Sequence, residues 1–239
     1  IDNDLWPAAQ KTGVSEKTFR AAMRGVSLNW DLPDLVPPGS KPKKEQAQSQ
    51  AEFSSPGAYF SEKRLQGLAG TGSRLAKSHA GTLRKIEQRF GVPGEIVVAV
   101  WGRESGFGSA KIPYSAVEVL ATKAFMSTRK DMFRKELIAA LHIVDGGDRT
   151  VAQLKGSWAG ALGQPQFMPT SFLQYAVDFD GDGVRDIWGS VPDSLASIAN
   201  YLAKKGWQAG RGWGYEVTIP AGVSCAQEGP DLEKPISAW

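Results

Sequence analysis

The run Ile96-Val97-Val98-Ala99-Val100-Trp101 constrains this chain more than any other stretch. It opens after Val92-Pro93-Gly94, continues to Glu104, and meets Gly106 and Gly108, which end it. A helix over Glu95–Glu104 whose centre is apolar on every face has no side there to offer water, so it predicts a buried helix. Other helices must cover it, and the remaining sequence supplies them. Residues 13–26 read as a helix with Ser15 as N-cap and Val14, Phe19 and Met23 on one face. Residues 61–90 carry the stripe Leu75, His79, Leu83, Ile86, Phe90, with His79 read as a core or edge residue rather than a ligand. Further helices are predicted at about 116–126, 131–144, 169–177 and 193–205. The last takes Asp193 or Ser194 as cap and turns Leu195, Ile198, Ala199 and Leu202 inward.

Between these helices the texture changes. From Asp31 to Ala58 come Pro33, Pro37, Pro38, Pro42 and Pro56 and the polar run Lys41–Gln50, which predicts an extended connector. After Trp207 the chain becomes Gly-rich, and Tyr215–Ile219 reads as a strand. The predicted class is mainly α (α+β). Its plan is an N-terminal helical segment (residues 1–30), a connector (31–60), a helical domain (61–220) and a tail (221–239).

Composition narrows the function. Cys225 is the only cysteine, and His79 and His142 the only histidines, so an intrachain disulfide and a thiolate metal cluster are excluded and a zinc site or Ser-His triad has little to draw on. With 28 basic against 25 acidic residues the charge is too balanced to argue for nucleic acid, and no run of about 18 apolar residues predicts a membrane span. The chain starts at Ile1 with no signal-peptide pattern. Eight Trp among 27 Gly suit either a core or aromatic platforms for sugar rings.

Three constellations carry chemistry. Ile96, Val100 and Glu104 share a helix face, so Glu104 sits at the C-terminal end of the buried helix, where burial and the negative end of the helix dipole would raise its pKa. A carboxyl still protonated near neutral pH is what a general acid needs; a structural Glu bridging to Arg103 or a backbone amide is the other reading. Gly156–Pro169 combines small residues with Ser157 and Gln166, a pattern suited to a polysaccharide or simply to a tight loop before a helix opened by Pro169. Asp178, Asp180, Asp182, the Val184 carbonyl and Asp186 match most of an EF-hand loop with Gly183 at its sixth position. Gly189 stands where a bidentate Glu belongs, so Asp193 is the candidate to complete a structural Ca²⁺ shell.

Taken in order, Trp-Gly-x-Glu-Ser, Gly-Ala-Leu-Gly-Gln-Pro-Gln-Phe-Met-Pro, Asp-Phe-Asp-Gly-Asp-Gly and Ala199-Asn200-Tyr201 resemble the membrane-bound lytic transglycosylase B family, over about residues 5–220. The resemblance implies a lysozyme-like core and a periplasmic peptidoglycan-cleaving enzyme, and leaves outer-membrane association open. Its substrate would be glycan strands, with no nucleic acid partner. It implies that Glu104 is the single catalytic acid/base. Ser157 would assist the N-acetyl group or the muramoyl 6-hydroxyl, Gln166 and Tyr201 would contact glycan, and Arg129 would belong to a basic pair beside it. The Asp178 loop would be the calcium site. The Tyr-Asn element that usually follows in this family is not present in the sequence, and residues 38–58 are richer in Lys, Gln and Ser than the family's pattern. A glycosidase normally uses two carboxylates, and Glu95 and Glu118 are the nearby candidates for a second. The expected reaction is non-hydrolytic cleavage to 1,6-anhydromuramoyl products. A lysozyme-type hydrolase and a non-catalytic glycan-binding module are the alternatives. A calcium sensor is disfavoured, because the loop is single and incomplete.

Overall fold

The structure, a computed structural model, describes residues 2–41, 61–214, 218 and 222, with side chains from residue 5 onward. Its contacts divide the chain into Ile1–Ala209 and Gly210–Trp239. The described part of the second unit contains the turn glycines Gly210 and Gly222, with φ of +78° and +101°. The predicted strand at 215–219 and most of the connector, residues 42–60, lie outside the described residues.

The first unit is helical. Its elements are α1 (Asp2–Lys11), α2 (Glu16–Met23), α3 (Glu62–Ser78), α4 (Ala80–Phe90), α5 (Gly94–Ser105), α6 (Ala116–Met126), α7 (Lys130–Asp145), α8 (Pro169–Tyr175) and α9 (Val191–Lys204). Two short strands, β1 (Tyr114–Ser115) and β2 (Lys155–Gly156), pair antiparallel with Tyr114 opposite Gly156. Predicted and observed bounds coincide for α6 and lie within two residues for α5, α7, α8 and α9. Ser15 caps α2 as expected, its hydroxyl accepting the Thr18 N–H at 3.2 Å.

Two expectations are corrected. The helix predicted over 61–90 breaks at His79, whose φ −102°, ψ +16° end α3 and begin α4. Ser78 donates its hydroxyl to the Leu75 carbonyl at 2.9 Å there, a local bond that competes with the helix ladder. The cap of α9 is Ser190, which accepts from the Asp193 N–H, so Asp193 and Ser194 lie inside the first turn. Helix α1 forms with Pro7 inside it, its Leu5 and Ala9 buried in the core.

The core has two clusters. The first gathers Leu120, Leu137, Leu141, Ile143, Leu154, Leu162, Phe172 and Ile187 with residues of α1 and α2. The second gathers Leu83, Ile86, Val97, Val98, Trp101, Leu195 and Ile198. Burying each such side chain contributes about 1.5–3 kcal/mol, so both clusters are substantial. Helix α9 belongs to both: Leu195, Ile198 and Ala199 enter the second, while Tyr201 packs on the first. Between α3 and α5 runs an apolar groove of about 350 Å³, lined by Leu65, Leu68, Ala99 and Phe107 among others.

Candidate active site

The buried-helix expectation holds for only part of α5. Val97, Val98, Trp101, Gly102 and Ser105 face the core, whereas Glu95, Ala99, Arg103 and Glu104 are exposed and Ile96 and Val100 are half-buried. Glu104 is thus exposed where the sequence predicts a covered carboxyl. Gly102 is required by packing: the Phe107 ring closes over it so tightly that a Cβ would lie 2.6 Å from the ring. Phe107 also meets Trp101 edge-on at 5.4 Å.

The glycine-rich segment folds back on itself. Leu162 and Phe167 exchange backbone hydrogen bonds of 2.7 and 3.1 Å, and the Ser157 N–H reaches the Ala161 carbonyl at 2.8 Å. Ser157 Oγ accepts the Ala161 N–H at 3.1 Å and the Ala159 N–H at 3.3 Å, so toward a ligand its own proton is what it has to donate. Gln166, at φ +53°, gives its amide Nε2 to the Gly163 carbonyl at 2.8 Å. Tyr201 joins this loop through Phe167, the ring centroids being 5.6 Å apart, and stacks edge-on with Tyr175 at 5.0 Å.

Helix α5 and the loop meet through Gln164. The buried Trp101 indole N–H donates to Gln164 Oε1 at 2.7 Å, and Gln164 Nε2 donates to the Trp188 carbonyl at 2.9 Å. Thus the helix end bearing Glu104, the loop bearing Ser157 and Gln166, and Tyr201 on α9 form one connected set. Arg129 is exposed at the start of α7, its guanidinium 5.6 Å from the Phe133 ring. Lys123 lies 5.5 Å from the same ring and 5.0 Å from that of Trp158, the residue after Ser157. That chain of contacts ties Arg129 to the loop side.

The two candidates for a second carboxylate lie on different elements, Glu95 on α5 itself and Glu118 on α6. Glu95 opens α5 and Glu104 closes it, a rise of about 13 Å along the helix, beyond the ~5–9.5 Å separations of paired glycosidase carboxylates. Glu118 is half-buried in the first turn of α6. The buried Glu136, overlooked in the sequence, accepts the N–H and hydroxyl of Thr170 at 2.9 and 2.8 Å.

In the acidic loop, Asp178, Asp180 and Asp182 bring carboxylate oxygens within 4.8 Å of one another. The other predicted ligands have different partners. Asp186 pairs with Arg149 and accepts the N–H groups of Trp188 and Gly189. Asp193 is fully buried and accepts N–H bonds from Phe179 (2.8 Å), Asp180 (3.3 Å) and Asp186 (2.8 Å). Burial pushes its carboxyl above the usual range; the amides of Phe179 and Asp180 oppose this, and the carboxylates of Asp180 and Asp178 add to it. The Val184 carbonyl accepts the Asp186 N–H at 3.1 Å.

Sequence reasoning missed Gln164 and Lys123. Gln164 stands two residues before Gln166 in the same motif, and composition cannot say which amide turns toward α5. Lys123 looks like any helical lysine. Of the described tryptophans, Trp101 is buried, Trp6, Trp188 and Trp207 are half-buried, and Trp30, Trp158 and Trp213 are exposed. Trp158 is therefore an aromatic face open beside Ser157 rather than a core residue.

Comparison with known proteins gives three results. The sequence profile described as "Transglycosylase SLT domain" matches residues 2–239. Over 129 residues the chain is 40% identical to the membrane-bound lytic murein transglycosylase B of Escherichia coli, covering 54% of this chain and 36% of that protein. Among solved structures, SltB3 from Pseudomonas aeruginosa in complex with NAG-NAM-pentapeptide superposes with a TM-score of 0.83 at 39% identity, over 99% of this chain and 61% of that one. Its complex with NAG-anhNAM-pentapeptide gives 0.74 at 37%, over 92% and 56%. The Escherichia coli lytic transglycosylase Slt35 in complex with calcium gives 0.56 at 26%, over 87% and 55%.

Proposed function

The chain belongs to the transglycosylase SLT domain family, and from that premise we propose that it is a lytic transglycosylase of peptidoglycan. It cleaves the β-1,4 bond between N-acetylmuramic acid and N-acetylglucosamine without water and leaves a 1,6-anhydromuramoyl end. One observation supports this above the others: the Trp101–Gln164 hydrogen bond fastens the helix end that carries Glu104 to the loop that carries Ser157 and Gln166. The helical architecture shared with SltB3, whose complexes hold NAM and anhNAM peptides, agrees with it.

In this reading Glu104 acts first as acid. Its proton passes to the glycosidic oxygen as the C1–O bond breaks, and the 2-acetamido group stabilises the charge developing at C1. The resulting carboxylate then takes the proton from the muramoyl 6-hydroxyl, O6 attacks C1, and Glu104 returns to its protonated form. In the ligand-free chain Glu104 is open to solvent. A glycan lying over it would exclude water from the proton transfer. Ser157 donates its hydroxyl to the acetamido oxygen or to O6, Gln166 offers its amide oxygen to a sugar hydroxyl, and Tyr201 and Arg129 line the strand's path. The setting is the cell envelope, in the periplasm.

We further propose that Asp178, Asp180 and Asp182 hold Ca²⁺. Hard oxygen donors this close repel one another unless a cation lies among them, and Slt35 supplies a relative with calcium. Bound there, the ion would staple the loop and take no part in the chemistry. Asp186 and Asp193 shape the loop around it.

Mass spectrometry of soluble fragments released from purified peptidoglycan by the 239-residue chain tests the reading. Muropeptides one water lighter than their hydrolysed counterparts are expected. Glu104→Gln should reduce their release at least ~100-fold while the melting temperature stays within a degree or two of wild type. Reducing-end products would replace transglycosylation by hydrolysis. Binding without products would make the chain a glycan-binding module, and full activity in Glu104→Gln would remove Glu104 from its role.

A further inference from the structure

We infer that Gln164 is the positioning residue for Glu104: its single amide is the joint that fixes the end of α5 against the glycine-rich loop and the tail of the acidic loop. The inference rests on the reading of Glu104 as the acid/base.

Three hydrogen bonds converge on this residue from separate parts of the chain. The Trp101 indole N–H donates to Oε1 at 2.7 Å, Nε2 donates to the Trp188 carbonyl at 2.9 Å, and the Gln164 N–H donates to the Ile187 carbonyl at 2.8 Å. Trp101 lies three residues before Glu104, on the adjoining turn of the same helix, so fixing one restrains the other. On the far side of Glu104 the chain returns to the same amide: Gly108 passes so close that a Cβ there would lie 2.6 Å from Oε1. Glu104 is therefore bracketed by two contacts to one side chain.

The joint also spans the two hydrophobic clusters. Trp101 belongs to the second, whereas Leu162, Phe167 and Ile187, around Gln164, belong to the first. Apolar contacts between clusters are non-directional and allow sliding. Hydrogen bonds in fixed directions do not, and the proposed site residues sit on opposite sides: Glu104 on α5, Ser157 and Gln166 on the loop. A displacement near 1 Å between reacting groups can cost on the order of 100-fold in rate.

The chemistry of the joint is specific. It needs one acceptor, for the indole, and one donor, for the Trp188 carbonyl, at the two ends of a planar group, which an amide supplies. An ionised carboxylate of the same shape would set an oxygen against that carbonyl, while a protonated carboxyl could again accept at one oxygen and donate from the other. Gln166, whose Nε2 bonds within its own loop to Gly163, makes no such bridge in the contacts described.

Gln164→Glu and Gln164→Met, beside Glu104→Gln, test this in the full chain on a soluble β-1,4 glycan of alternating N-acetylglucosamine and N-acetylmuramic acid. At neutral pH both Gln164 variants should lose about 10- to 100-fold in kcat with KM changed far less. As pH falls, Gln164→Glu should recover relative to wild type at the same pH, and Gln164→Met should not. In ¹⁵N/¹³C-labelled protein, Gln164→Met should move the Trp101 indole N–H resonance upfield, speed its exchange, and shift the Glu104 side-chain carboxyl signal. Wild-type kcat in both folded variants would overturn the inference, as would unmoved Trp101 and Glu104 resonances. If Gln164→Met does not fold, the isosteric Glu variant carries the same comparison. Failure of wild type to release anhydro products would instead sink the functional reading, and the two resonances would then decide the joint by themselves.

Discussion

Lys123 illustrates what one residue's surroundings can do. It is 3% exposed, its ammonium donates to the Pro33 carbonyl at 3.1 Å, and it faces the rings of Phe133 and Trp158. Burial holds its pKa below the usual lysine value; Asp34 opposes that shift and Arg129 adds to it. Between the lowered folded value and about 10.4 the unfolded chain binds more protons than the folded one. Stability is thus fully present above the ordinary lysine value and is lost as pH falls through the folded one. Urea midpoints measured from about pH 8 to 11 should rise for wild type relative to Lys123→Met, whose profile should be flatter. Parallel profiles would detach the residue from this role. Nothing in the sequence singles out Lys123, because its burial comes from residues 29–36 lying along α6, with Asn29 bonded to Thr122 at 2.9 Å and Val36 to Met126 at 2.5 Å.

At the scale of elements, polar side chains at helical spacing decide how irregular chain is held. On α9, Asp193, Ser197 and Asn200 recur at i, i+4 and i+7 and take backbone groups of Phe179, Val177 and Tyr175 at 2.8, 3.0 and 2.9 Å. The apolar face of that helix was legible in Leu195, Ile198 and Ala199. The polar stripe beside it was not, because a buried Asp and an exposed one look alike in sequence. Glu136 on α7 does the same work for α8, holding Thr170 by two bonds. Glu136→Ala should lower unfolding free energy by about 1–3 kcal/mol, since it strands a partly buried donor, and Glu136→Gln should lose less. Chemical denaturation compares the two; equal and negligible effects would show that α8 is held by its apolar contacts alone.

Across the molecule, two reciprocal ion pairs, Asp148 with Arg185 and Arg149 with Asp186, tie the end of the acidic loop to the turn after α7. From Asp186 the chain runs directly to Ile187 and Trp188, whose carbonyls hold Gln164. A cation at Asp178, Asp180 and Asp182 would therefore stiffen a loop that feeds the cleft. Ca²⁺ should raise the melting temperature by several degrees, in line with linkage at saturating ligand, and chelator should reverse it. Asp180→Asn with Asp182→Asn should abolish the effect, with the anhydro character of the products unchanged. A melting temperature indifferent to Ca²⁺ would leave the triad a solvated acidic turn.

The helical class, the bounds of α6, the position of Glu104 at a helix end closed by glycines, and the acidic loop were all set by the sequence alone. Each depends on local spacing: a period of 3.6, a glycine after a helix, carboxylates two residues apart. Tertiary structure alone decided that Glu104 is open to solvent, that Asp193 holds backbone amides, that Lys123 is buried, and that Gln164 joins the two halves. Those properties depend on which neighbour, distant in sequence, comes to cover or bond a side chain, and local periodicity carries no information about that neighbour.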